Sequence, residues 1–261
     1  MTPIDDAVQT IKSWAPMLNR SQTPPSPMTN QPRPANKILT SLPADEFEQL
    51  RSKLRPVNFP IGEILYMPEQ KIEYAYFVNR GVVSLLAALE DGATVEAGVI
   101  GPEGVAGIAV VLGASSTPNQ SLTQSDVETS RISATDLVAE FRKGGKLRDL
   151  MLRFVHTMFT QVTQTAACNR LHTLDQRLAR WLLMVQDRVN DRQFTLTQEF
   201  LSRMLGVRRA GVSVAANELR QTGLIDYRRG DIVILDRQGL EGVCCECYQI
   251  VKHEYDSYLQ N

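Results

Sequence analysis

Residues 197–223, TQEFLSRMLGVRRAGVSVAANELRQTG, constrain what this chain can fold into more than any other stretch. Phe200, Leu201 and Met204 fall on one face of a first helix. Val212, Ala215, Ala216 and Leu219 recur at i, i+3, i+4 and i+7 on a second. Thr197 can cap the first helix with its hydroxyl, and Gly223 can stop the second in the left-handed conformation. Gly206 stands between the two faces, where a sharp helix-to-helix turn favours a residue without a Cβ. Arg208 and Arg209 open the second helix. Such a helix-turn-helix offers the N-terminal residues of its second helix, here 208–222, to the DNA major groove.

Charge is distributed in a way that suits this layout. The formal net charge is −1, so the chain as a whole is no polyanion binder. From Gly81 to Ser130 there is no Lys or Arg, whereas from Cys168 to Arg237 every cation is Arg apart from His172. A neutral chain with one Arg-rich end fits a localised nucleic-acid footprint. The first residues lack a basic, apolar leader, and no apolar run approaches ~18 residues, so neither secretion nor a membrane span is expected. The cytoplasm is the expected compartment, since three of the four Cys crowd into Cys244-Cys245-Glu246-Cys247 rather than forming a spread disulfide framework.

Upstream, the pattern divides the chain into five parts. Residues 1–36 read as an extension, with a short amphipathic helix through Ile4, Val8, Ile11 and Trp14 followed by a Pro-rich linker. Residues 37–143 begin with a helix and continue as short β segments punctuated by Gly or Pro, a jelly-roll signature. A polar loop is expected over 113–124. Residues 144–168 form a long helix whose Leu147, Leu150, Met151, Phe154, Met158 and Val162 recur as a narrow stripe, the pattern of a homodimer seam. Residues 169–240 add a helix with Arg177, Arg180 and Arg188 outward or at its edges, then the helix-turn-helix and a hairpin wing over Arg229-Gly230. One closing helix is expected over residues 241–261, starting near Gln238. The fold class is α+β.

The order of these parts resembles the Crp/Fnr family of bacterial transcription regulators over roughly residues 38–240. The resemblance rests on Phe59-Pro60-Ile61-Gly62-Glu63-Ile64-Leu65-Tyr66, on Tyr76-Phe77-Val78-Asn79-Arg80-Gly81-Val82-Val83-Ser84, on the long helix and on the winged helix. It implies a cyclic-nucleotide-binding-type barrel, a dimerising helix and a DNA-binding domain, with double-stranded promoter DNA and RNA polymerase as partners. Members that bind cyclic AMP carry a Gly-Glu pair and, further on, an Arg followed by a small hydroxyl residue and Ala. The matching region here reads Val105-Ala106-Gly107-Ile108 and then Ser115-Ser116-Thr117-Pro118-Asn119-Gln120, with neither the Glu nor the Arg. Since no cation stands between Arg80 and Arg131, a buried cyclic phosphate would lack its charge-assisted partner, and no cyclic-nucleotide dependence is expected. The iron–sulfur branch needs N-terminal Cys, and Cys168 is the first; a haem branch needs an axial ligand in the sensor half, and His156 is the first His. No cofactor is expected.

For DNA, Arg208 and Arg209 can read guanine or hold phosphate, and Ser213 and Asn217 can meet a phosphate or base edge. Ala210, Gly211 and Val214 permit close approach. Thr197 and Gln198 can bond a phosphate at the first helix's N-terminus, as can Arg228 and Arg229 on the wing. Cys244 and Cys247 are expected to pack on an apolar face with Cys245 pointing elsewhere, and no metal site is expected. A barrel enzyme would need clustered His, which residues 1–155 lack, so no catalytic residues are expected. Two alternatives stay open: a ligand-binding interaction module with a degenerate helix-turn-helix, and a thiol- or metal-responsive regulator acting through Cys244–Cys247.

Overall fold

The structure is a computed structural model that describes residues 33–90, 92–228 and 230–260. The expected N-terminal amphipathic helix and most of the Pro-rich linker lie outside these residues. The linker's last residues are docked rather than extended. Asn36 is fully buried, caps the short helix α1 (Lys37–Thr40) and donates through Nδ2 to the carbonyls of Val78 and Gly104, both at 2.8 Å. Arg33 lies over the Phe47 ring, 4.4 Å from its centroid.

A second helix, α2 (Ala44–Arg51), leads into eight strands: β1 (Arg55–Phe59), β2 (Ile64–Tyr66), β3 (Tyr74–Arg80), β4 (Val83–Ala88), β5 (Thr94–Ile100), β6 (Val105–Ala106), β7 (Asn119–Thr123) and β8 (Val127–Ser133). They form two antiparallel four-stranded sheets, ordered β1-β8-β3-β6 and β2-β7-β4-β5, which face each other as the expected jelly roll. Gly81 shows why the β3–β4 turn needs glycine: its φ is +89°, and a Cβ there would lie 2.3 Å from the carbonyl oxygen of Asp126. The expected loop over 113–124 contains β7. Its polar sequence conceals a strand because Ser121 and Thr123 are buried inside the barrel.

After α3 (Ala134–Arg142), the long helix α4 (Gly145–Leu171) spans 27 residues. Its exposed N–H groups are met by the Glu46 carboxylate of α2, which accepts from Lys146 N at 2.9 Å and Leu147 N at 3.0 Å. Here the structure corrects the expected seam. Leu147, Leu150, Met151, Phe154 and Met158 are buried against this chain's own barrel, so they are not free to meet a partner. A second stripe lies beside them: Leu152, Val155, Phe159, Val162 and Ala166, with Leu152 43% and Phe159 68% exposed. Of the expected seam residues, only half-buried Val162 belongs to it. The helix carries two apolar faces, and the barrel takes the one the sequence assigned to a partner.

Helix α5 (Leu174–Val189) opens with a capping box between Thr173 and Gln176 and ends at Asn190 in the left-handed region. Its Arg177, Arg180 and Arg188 are buried, not outward. Arg188 pairs with Glu103 of the barrel at 2.7 Å, and Arg177 donates to the Leu205 carbonyl. Then follow β9 (Gln193–Thr195), α6 (Gln198–Leu205), α7 (Arg209–Gln221), β10 (Ile225–Arg228) and β11 (Asp231–Ile234). The wing is a three-stranded sheet ordered β10-β11-β9, so β9 extends the expected hairpin.

The expected closing helix is two, α8 (Arg237–Val243) and α9 (Cys247–Ser257), broken at residues 244–246. The break reverses the expected Cys arrangement. Cys245 is buried with Cys168 and Cys247, while half-buried Cys244 turns to the Glu241 carbonyl at 3.3 Å. Among the described residues no helix is long and apolar enough to cross a membrane.

Candidate nucleic-acid interface

The helix-turn-helix is built as the sequence suggests. Thr197 caps α6, its hydroxyl accepting from Phe200 N at 3.1 Å. Gly206 ends α6 with φ +62°, and a Cβ there would lie 2.9 Å from Val95 Cγ2 on strand β5. The turn therefore rests on the barrel. Arg177 of α5 donates to the carbonyl of Leu205, satisfying the end of α6 from below. Leu201, Met204, Val212, Ala215, Ala216 and Leu219 are buried between α5, α6 and α7.

This packing leaves one face of α7 in solvent. Arg208, Arg209, Ala210, Val214, Asn217 and Arg220 are exposed along it. Arg208 occupies the N-cap without a side-chain cap bond. A cation at a helix N-terminus opposes the helix dipole, so stability alone gives no reason for Arg there. Gln198 of α6 ties the two helices together, its Oε1 accepting from Ser213 Oγ at 2.9 Å and Arg209 Nε at 3.3 Å. Thr197, Gln198, Arg209 and Ser213 thus converge at one end of the exposed face. Asn217 stands farther along it. Arg220, not singled out from the sequence, continues it one step beyond Asn217; its i+3 spacing was the available signal.

Two expected contacts change meaning. Gly211 is half-buried, and a Cβ would lie 3.1 Å from Leu174 Cδ2, so its smallness serves packing on α5. Arg228 on the wing is exposed and paired with Asp226 at 3.1 Å, an ion pair worth little in water and easily exchanged. Arg229 lies outside the described residues. The Tyr227 hydroxyl, its pKa raised by burial, donates to the Leu196 carbonyl at 3.0 Å and holds the wing against the base of α6.

The reading head is joined to the barrel through buried polar groups. Trp181 Nε1 of α5 donates to Glu96 Oε1 of β5 at 2.9 Å, and Ser84 Oγ donates to the other carboxylate oxygen at 3.0 Å. Gln124 Nε2 meets the same oxygen. Burial pushes the Glu96 carboxyl up to about 7, against hydrogen bonds and nearby Arg that act to lower it. In the folded chain Glu96 thus stays protonated where an unfolded one ionises. Its stabilising contribution is complete below the ordinary value of 4.5 and is lost as pH rises to about 7. Glu96→Gln, neutral throughout, is expected to gain on the parent protein by up to about 3 kcal/mol across that window. Urea unfolding midpoints of both proteins between these pH values test it; a pH-independent difference contradicts the assignment.

Known families match both halves. The description "Crp-like helix-turn-helix domain" matches residues 176–243, and "Cyclic nucleotide-binding domain" matches residues 56–143. The chain matches no curated protein. Among solved structures it is similar to a Crp/Fnr-family protein from Eubacterium rectale, at 16% identity and TM-score 0.64, covering 79% of this chain and 96% of that one. FixK2 from Bradyrhizobium japonicum is similar at 18% identity and TM-score 0.64, covering 74% of this chain and 98% of its own. The c-di-GMP-responsive regulator CLP from Xanthomonas campestris is similar at 18% identity and TM-score 0.59, covering 74% and 99%. At these identities the structures share the fold.

Proposed function

This chain belongs to the Crp/Fnr family of transcription regulators, with a helix-turn-helix DNA-binding domain, and we propose that it binds an operator as a homodimer with α7 of each protomer in the major groove. The observation that carries the reading is the solvent face of α7, where Arg208, Arg209, Asn217 and Arg220 stand clear of the core. Arg208 and Arg209 are the base- and phosphate-contacting pair, Ser213 and Asn217 add polar contacts, and Val214 and Ala210 allow close approach. Thr197, Gln198 and Arg228 hold phosphates, as does Arg229.

The dimer seam runs along Leu152, Val155, Phe159 and Val162. Their alternating spacing of three and four residues suits a two-helix seam, and in the single chain Leu152 and Phe159 are exposed with Val155 and Val162 half-buried beside them. Two-fold symmetry then places the half-sites about one duplex turn apart. The protein acts in the cytoplasm, works with RNA polymerase and carries no catalytic step. It is controlled by an unknown effector or is constitutive, and it does not depend on a cyclic nucleotide, a reading supported by the absence of any cation between Arg80 and Arg131.

Arg208→Ala or Arg209→Ala is expected to weaken specific operator binding by about 1–3 kcal/mol where the residue reads a base, and relax specificity at that position. Where it holds a phosphate, binding weakens for all sequences and the salt slope falls by about one. Footprinting on genomic DNA followed by salt-dependent titration distinguishes these outcomes. Unchanged affinity and slope in both variants would remove the pair from the interface.

A further inference from the structure

At the junction between α4 and α5, four side chains from two distant segments meet. Cys168 lies on the last turn of α4 and His172 is its C-cap, so the two share a face at i, i+4 spacing. Cys245 lies in the break between α8 and α9, and Cys247 opens α9. Their ligand atoms, three Sγ and one imidazole nitrogen, all lie within 4.8 Å of one another. Cys168 Sγ is 3.5 Å from Cys245 Sγ, and Cys247 Sγ is 3.6 Å from His172 Nδ1. The three Cys are buried.

We propose that Cys168, His172, Cys245 and Cys247 bind a single divalent thiophilic cation of the zinc class, as a tetrahedral Cys3His site. Thiolates and one imidazole are the donor set such a cation prefers, and Zn–S bonds of ~2.3 Å place ligand atoms about 3.8 Å apart. The observed separations are close to this, and too short for the sulfurs that hold a four-iron cube. The surroundings agree. His172 directs Nδ1 at the thiols, while its Nε2 lies 3.4 Å from the Glu246 carboxylate, the outer partner that fixes a ligating imidazole. Buried Arg180 lies near the thiols with its Nε lacking a hydrogen-bond partner, and its charge offsets the extra negative charge of three thiolates around one dication. Binding exchanges the three thiol protons to solvent and involves no change of oxidation state. The site would pin the C-terminal segment to the junction between α4 and α5.

The proposal is independent of DNA binding and is tested by metal content. Untagged full-length protein purified without chelator is expected to hold about one zinc per chain. After stripping, it is expected to take up Co2+ with the visible bands and thiolate charge-transfer absorption of a tetrahedral sulfur-rich site. Cys247→Ser and His172→Asn should lose the metal or hold it far more weakly. Cys244→Ser, whose thiol lies outside the cluster, should keep it. Glu246→Ala should keep the stoichiometry with affinity lowered about 10- to 100-fold. The Co2+ titration of the unmutated chain stands even where a Cys variant fails to fold. Stripped protein that takes up neither metal, loss of metal in Cys244→Ser, or a Cys168–Cys245 disulfide in freshly purified protein overturns the assignment.

Discussion

Arg188→Ala is expected to destabilise the protein by about 3–5 kcal/mol, because it strands the Glu103 carboxylate in the interior. Both side chains of this pair are 7% exposed. The contacts around it leave little room for repair. Glu103 Oε1 also accepts from Gly101 N at 3.1 Å, and the Glu103 carbonyl accepts from Tyr258. Arg188 Nη1 donates to the Met184 carbonyl at 2.9 Å, and its guanidinium lies 4.8 Å from the Tyr255 ring centroid. Burial alone would lower the Arg188 pKa, but the Glu103 carboxylate together with Tyr255 and Asp187 more than offsets it, and the net displacement is upward. Removing both charges together, as Arg188→Met with Glu103→Gln, should restore much of the loss. Urea unfolding of Arg188→Ala, of the single variants Arg188→Met and Glu103→Gln, and of their double variant checks this. A single-variant cost below about 1 kcal/mol, or a double variant as unstable as the sum of the singles, contradicts it.

If the proposed dimer forms through this seam, Phe159→Glu is expected to convert it to monomers and lower operator affinity roughly 100- to 10,000-fold, the advantage lost when two half-sites are no longer held together. Phe159 is 68% exposed in the single chain, so the substitution removes little of that chain's own packing and should leave its thermal unfolding nearly unchanged. Met158, its neighbour, is 8% exposed and rests on the barrel; Met158→Glu should destabilise the fold itself. Sedimentation equilibrium and operator titration of both variants separate the two faces. A dimeric Phe159→Glu protein with intact operator binding places the seam elsewhere.

The helix-turn-helix was legible because each helix carries an apolar face of the right period and Gly206 marks the turn between them. The barrel was legible from its short, punctuated strands, except where burial ran against composition. Strand β7 reads Asn-Gln-Ser-Leu-Thr, and only the barrel interior reveals that Ser121 and Thr123 are core. Arg177, Arg180 and Arg188 failed for the same reason in reverse. Charge predicts exposure unless a partner waits inside, and the partners of Arg177 and Arg188 lie 28 and 85 residues away. The stripe expected to face a partner packs on the chain's own barrel, because two apolar stripes lie side by side on α4 and periodicity does not say which one the barrel claims. The Cys–His cluster joins residues 77 and 75 positions apart, a proximity that no local pattern encodes.

Strand β5 ends the sheet β2-β7-β4-β5, and such a strand ordinarily shows a row of unpaired backbone groups to other chains. Buried Gln161 of α4 occupies part of that row, accepting from Val99 N at 3.3 Å and donating to Val99 O at 3.1 Å. A carboxamide on a helix thus imitates one residue of a neighbouring strand. It leaves the Val99 backbone nothing to offer an incoming chain, so the long helix also guards the sheet against growing by strand addition into an aggregate.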